Sequence, residues 1–194
     1  MVIALLLCAG DWVVILDDGH SIVERRLRAD GLMEIRGTTT TDVPAAALAE
    51  AFWSPKRKPV EQVKKRVELK KDDKEKIVYQ QLRLPVVQDR DYVVRIERLA
   101  DPPNDLFQFT SICESSLGPP PNKEHVRVTD CLSTTTMEGQ GAGKTTLSYQ
   151  GYANPAGSLP KWIINMLAPR AASEVLRRLI AEGRDVAAAS AKTP

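Results

Sequence analysis

The stretch Ser158–Arg184, SLPKWIINMLAPRAASEVLRRLIAEGR, decides the fold. Its apolar residues Trp162, Ile163, Met166, Leu167, Ala171, Val175, Leu176, Leu179 and Ile180 recur every three or four positions, which puts them along one face of a helix. Lys161, Asn165, Arg170, Glu174, Arg177, Arg178 and Glu182 fall mainly on the rest of the circumference. Ser158 suits an N-cap, Pro160 a first turn that needs no N–H, and Gly183 a stop. At about 1.5 Å per residue the helix spans about 37 Å, enough to cross a whole domain. Pro169 removes a backbone hydrogen bond in mid-helix and predicts a kink there. The chain before it reads mostly as strands, and an amphipathic helix after strands lays its stripe on a sheet.

Working back from that helix, Lys144–Tyr152 and His125–Met137 are rich in β-branched residues and flank the turn Gly139–Gly143. Leu106–Ser116, Tyr92–Leu99, Glu75–Leu84 and Lys65–Lys71 are further strands, separated by Asp-, Asn- and Pro-containing turns. Near the start, Trp12–Leu16, His20–Arg28 and Leu32–Thr41 form a three-strand meander. The segment VPAAALAEAFW after Asp42 is a short alanine-rich helix with Asp42 as its cap. Short turns between about nine successive strands require an antiparallel sheet, and a sheet of that size curls. The expected architecture is α+β: a curved antiparallel sheet wrapped around one long C-terminal helix, with a concave interior.

The 194 residues are 43% apolar and 27% charged, enough for one domain with a sizeable core. A net charge of +2 gives no reason to expect nucleic acid as a partner. The basic cluster from Lys56 to Lys71 is partly answered by Glu61, Glu68, Asp72 and Asp73, so it reads as a solvated face, or as a weak contact for an anionic membrane. Cys8, Cys113 and Cys131 form no metal-ligand spacing, and His20 and His125 stand alone. Cys113 and Cys131 fall on neighbouring strands and read as small apolar fillers rather than a disulfide. Met1–Gly10, MVIALLLCAG, is too short to span a bilayer, which takes about 20 residues. It reads either as the remnant of a secretory signal, implying a periplasmic or extracytoplasmic protein, or as a short opening helix in a cytoplasmic one.

GQGAGKTT (Gly139–Thr146) imitates a phosphate-binding loop, but the pattern needs a glycine where Glu138 stands and a helix where the strand TLSYQGY follows. It is a glycine-rich hairpin turn. Arg90 and Asp91 in LPVVQDRDYVV lack a second positioned group for acid–base or nucleophilic work, and read as a structural ion pair or cap.

In combination, LP…DRDYVV, then Asn154-Pro155, then Gly157-Ser158-Leu159-Pro160-Lys161-Trp162 and Asn165 resemble a START domain, the lipid-transfer domain related to the steroidogenic acute regulatory protein. The order and spacing run from about Trp12 to Glu182, in the manner of a bacterial-type single-domain member. Three positions depart from the family pattern. The tryptophan that often follows the small helices is replaced near Pro59, with Trp53 close by. Asn154 stands where the family usually has aspartate, and Ile96 where some members bury a charge, which suggests an apolar cavity floor.

The resemblance implies a helix-grip fold over residues 11–186, with 187–194 as a frayed tail, and an internal tunnel for one lipid. Counting alternately from Tyr92, Tyr92, Val94 and Ile96 would face that cavity. Trp162, Ile163, Met166 and Leu167 would roof it, and Tyr79, Phe107, Phe109, Leu147 and Tyr149 are candidate walls whose facing the sequence leaves open. Val86, Val87, Gln88 and the helix around Pro169 would form the gate. The expected function is non-covalent binding of a sterol, phospholipid or fatty-acid derivative, for transfer or sensing, by a monomer that touches membranes only transiently. No cofactor is implied. Burial drives such binding: at about 0.8 kcal/mol per methylene, a long acyl chain contributes about 13 kcal/mol before costs. The alternatives are a helix-grip cyclase or hydrolase, for which Glu97, Glu114, His125 and Asp130 are the candidate acids and bases, and a scaffold with a filled core.

Overall fold

The computed structural model describes residues 10–54, 62–84, 87–100, 105–157, 159 and 161–192, side chains at 100 and 161–171 excepted. Ten strands and two helices follow one another as β1 (Val13–Asp17), β2 (Ser21–Leu27), β3 (Met33–Thr41), α1 (Ala45–Trp53), β4 (Val63–Lys71), β5 (Glu75–Leu82), β6 (Arg90–Ala100), β7 (Leu106–Cys113), β8 (Val126–Val128), β9 (Asp130–Gly141), β10 (Lys144–Asn154) and α2 (Lys161–Ser190). The sheet order is β1-β2-β3-β10-β9-β7-β6-β5-β4, every neighbouring pair antiparallel. The predicted nine-strand sheet closed by a C-terminal helix is therefore present.

The expected single strand His125–Met137 breaks at Thr129. Its first part, β8, leaves the main path and pairs parallel with β6, from Arg90 opposite Val126 to Tyr92 opposite Val128. Gly139–Gly143 forms the expected hairpin turn, with Gly141, Ala142 and Gly143 all at positive φ.

Alternation gives each strand two faces. On the inner face, Val78, Val94, Ile96, Phe107, Phe109, Met137 and Leu147 form one cluster with Leu48 and Phe52 of α1 and Leu176 and Leu179 of α2. The helix α2 lies across β2, β3 and β10. Gly37 of β3 makes this approach possible: a Cβ there would stand 3.0 Å from Leu176 Cδ1. On the outer face, Ile77, Tyr79 and Val93 form a second buried cluster, against which the loop before β8 packs: a Cβ on Gly118 would collide with Val93 Cγ2.

The helix ends differ from expectation. Asp42 does not cap α1, whose N-cap is Pro44 with no side-chain bond; Asp42 instead pairs with Arg184 of α2 at 2.9 Å. Nor does Gly183 stop α2, which runs through residue 169 without interruption and on to Ser190. Gly183 is a point of contact between the helices, since a Cβ there would lie 2.7 Å from Leu48 Cδ2 and 3.0 Å from Val43 Cγ1. The predicted frayed tail is helical as far as Ser190, with Val186 and Ala187 packed on the core.

The C-terminus of α1 is held by two lysines. Lys76 Nζ, fully buried, donates to Phe52 O at 2.8 Å and sits 4.9 Å from the Trp53 ring centre. Lys71 Nζ donates to Trp53 O at 2.9 Å. Terminal carbonyls of a helix otherwise lack partners, and a cation there also meets the negative end of the helix dipole.

Cys113 and Cys131 form a disulfide across the ends of β7 and β9, their Cα atoms 5.1 Å apart. This corrects their reading as fillers. The two strands place Ile112 directly opposite Leu132, so the next pair along is the two cysteines.

Candidate functional site

The concave face has two dissimilar halves. At the end where α1 packs, the inner residues are fully buried: Ile96, Phe107, Phe109, Met137 and Leu147 are each at most 6% exposed. The Phe52 and Trp53 rings stack on Phe109 at 4.6 and 5.6 Å. Toward the other end of the same strands, the inner positions Gln80, Tyr92, Ser111, Cys113, Cys131, Ser133 and Tyr149 are only half-buried. Large apolar side chains thus give way to hydroxyls, an amide and the disulfide as the face leaves α1. Tyr92 donates its hydroxyl to Gln80 Oε1 at 3.1 Å. The inward residues at this end are mostly polar, whereas Ile96 lies in the apolar cluster at the other end.

The loop that joins β10 to α2 closes this open half. Asn154 Oδ1 accepts the Ala156 N–H at 3.1 Å, so asparagine serves as the turn former where the family has aspartate. Ala156 and Gly157 follow at φ +54° and +66°. Arg90, 4% exposed, is the clasp of this region. Its guanidinium donates to Pro155 O and Ala156 O, both at 3.2 Å, and also to Gln88 O. One side chain therefore ties the β5–β6 loop to the entry of α2. Burial alone pushes its pKa down.

Asp91, next in sequence, faces the outer side. It accepts from Arg127 Nε at 2.8 Å and Nη2 at 2.9 Å, and from Tyr79 Oη at 3.1 Å. Burial raises the pKa of the carboxyl, but these hydrogen bonds outweigh it and hold the pKa below the ordinary 3.8. Arg90 and Asp91 thus do structural work, in two separate networks on opposite faces.

Tyr92, Val94 and Ile96 lie on the inner face, as the alternation predicted, and so do Phe107, Phe109, Leu147 and Tyr149, whose facing the sequence left open. Of these, Tyr92 and Tyr149 belong to the half-buried end, whereas the other five are core. Tyr79 is misassigned: its directly paired partner is Val93, and it belongs to the outer cluster with the Asp91 carboxylate. Val87 is a half-buried bend, and Gln88 is exposed with its amide donating to Lys123 O at 2.9 Å. Val86 and the side chains of Trp162, Ile163, Met166, Leu167 and Pro169 lie outside the described residues. Sequence reading missed Arg90 as a clasp, and it missed Arg66, which β4 carries onto the inner face opposite Gln80.

Among the described residues no cluster could hold a metal ion, and no helix is long and apolar enough to cross a membrane.

A curved antiparallel sheet closed on a long C-terminal helix defines a helix-grip protein. The model of the START domain family matches residues 35–188, and the chain belongs to that family. Human STARD10 is similar in structure, with a TM-score of 0.73 at 19% identity over 94% of this chain and 76% of that one. A STAR-related lipid transfer protein from Xanthomonas axonopodis also reaches 0.73, at 22% identity over 89% of this chain and 98% of that one. More distantly, the Zhui aromatase/cyclase from Streptomyces sp. R1128 reaches 0.53, at 14% identity over 78% of this chain and 93% of that one. No curated protein sequence matches the chain.

Proposed function

We propose that this chain binds one lipid molecule without covalent chemistry, between the half-buried end of the inner face and α2, for transfer or sensing. The observation that carries this reading is the change in burial along the inner face. Side chains pointing into a domain interior are normally packed as densely as in an organic crystal. Here a run of inward residues on five neighbouring strands, β4 to β7 and β9, stays half-buried, at the end that Arg90 closes. Family membership and the naming of the Xanthomonas relative as a lipid transfer protein support the same ligand class.

The placement of the four candidate acids and bases supports binding without catalysis. Glu97 and Glu114 both pair with Arg95 on the outer face. Asp130 shares that face with Tyr152 and Leu132, and His125 sits in a surface turn beside Asn122. None has a path to a ligand against the inner face, and acid–base catalysis needs hydrogen-bond reach. The disulfide fits an oxidising compartment.

Native mass spectrometry of the purified protein, then solvent extraction, tests the proposal. A lipid at one-to-one stoichiometry is expected. A protein that is empty as purified, and that takes up no added sterol, phospholipid or fatty acid, would sink it.

A further inference from the structure

The strand β4 reads VKKRVELKK, the pattern of a solvated edge, yet it delivers one arginine inward. Arg66 is directly opposite Gln80, and Gln80 is directly opposite Tyr92. Directly paired residues share a face, so three polar groups stand in one row across β4, β5 and β6. The row lies one inner pair beyond Val78 and Val94, toward the Arg90 clasp. Gln80 and Tyr92 are bonded to each other, whereas Arg66 makes no hydrogen bond or ion pair with any described residue. Arg26, Arg36, Arg90, Arg95 and Arg127 each have such partners. Desolvation lowers the Arg66 pKa, but a guanidinium remains charged in any folded protein. Glu68 of β4 and Glu182 of α2 are in electrostatic reach without bonding to it.

A half-buried guanidinium on the inner face with unused donors is placed to meet an acceptor that a ligand carries in. We propose that Arg66 anchors the polar end of the bound lipid. The group it accepts is a singly charged oxyanion, a carboxylate or a phosphodiester, gripped by the guanidinium fork beside the Tyr92–Gln80 pair. The fork matches two oxygens of one anion. Glu68 and Glu182 restrict that anion to one charge, because they raise the cost of a second. The lipid therefore lies with its head toward β4 and its chain along the rest of the half-buried face. This assignment rests on the lipid-binding reading above.

Delipidated protein is titrated with hexadecanoic acid, hexadecyl methyl phosphate and neutral methyl hexadecanoate. Wild type is expected to bind at least one of the anions about tenfold or more tighter than the ester, the range of a hydrogen bond to a charged group. Whichever anion is preferred names the head-group source. Arg66→Met should bring all three ligands to a common affinity, and Arg66→Lys should keep part of the preference. The lysine variant decides the matter if the methionine variant misfolds, as judged by its circular dichroism and melting curve. Equal binding of ester and acids by wild type, or an undiminished preference in Arg66→Met, overturns the anchor and leaves the lipid-binding reading standing. Failure of all three ligands to bind also overturns the anchor, while the lipid-binding reading stands or falls with the lipid found by native mass spectrometry.

Discussion

Replacing Arg90 by methionine keeps most of the buried volume and removes every hydrogen bond of the clasp. The residue is 4% exposed, and all three of its acceptors are backbone carbonyls: Gln88 on one side, Pro155 and Ala156 on the other. A hydrogen bond from a charged donor contributes about 1.5–3 kcal/mol, which for three sets a ceiling near 9 kcal/mol. The carbonyls lie in exposed or half-buried segments and can take water in place of the guanidinium, so each loss should sit below the bottom of that range. A total of about 3 kcal/mol results, and for a chain of this length that is a fall in Tm of about 6–12 °C. Differential scanning calorimetry reads the global loss. Amide exchange at Ala156, Gly157 and Leu159 reads local opening of the loop, and a vesicle-to-vesicle transfer assay reads release, which should accelerate. A variant whose Tm, loop exchange and transfer rate all match wild type would refute the claim that one side chain holds the two loops together.

Three further outcomes follow from contacts elsewhere. Gly183→Val places its Cβ against Leu48 and Val43 and should destabilise by about 1–3 kcal/mol, seen as a lower denaturation midpoint; a glycine that merely stopped the helix would tolerate the change. The Asp91 carboxyl has a folded pKa below its ordinary 3.8, so its contribution to stability is present above about pH 4 and is lost as pH falls through the folded value. Asp91→Asn should flatten that part of an acid-unfolding curve while lowering stability at neutral pH, because Arg127 loses its buried partner. Reduction of Cys113–Cys131, separated by 18 positions in sequence, should cost about 3 kcal/mol in a chemical denaturation series with and without reductant.

The spacing of apolar residues in Ser158–Arg184 and the turn residues between strands were enough to find the long helix and the antiparallel sheet, because both signals are local. Alternation placed Tyr92, Val94 and Ile96 on one face correctly. It could not place Tyr79, because the outer face of β5 is also buried, in the cluster with Ile77 and Val93, and an apolar or aromatic residue then carries no sign of which way it points. Arg66 was hidden by its lysine neighbours and by the register shifts that break the phase of β4 at Val63/Lys65 and Glu68/Lys70. Gly183 carried the ordinary signal of a helix end. Only the crossing of α1 over α2, between residues far apart in sequence, gives it its other meaning.

The packing of α1 into one end of the concave face closes the rear of the proposed site. A ligand resting at the half-buried end has the stacked rings of Phe52, Trp53 and Phe109 behind it and the Arg90-bound loops before it. An incoming molecule cannot push an outgoing one from the rear. Exchange is then a matter of vacating before refilling, and its rate is set by the resident's departure. Loading an acceptor membrane with more lipid would leave that rate unchanged.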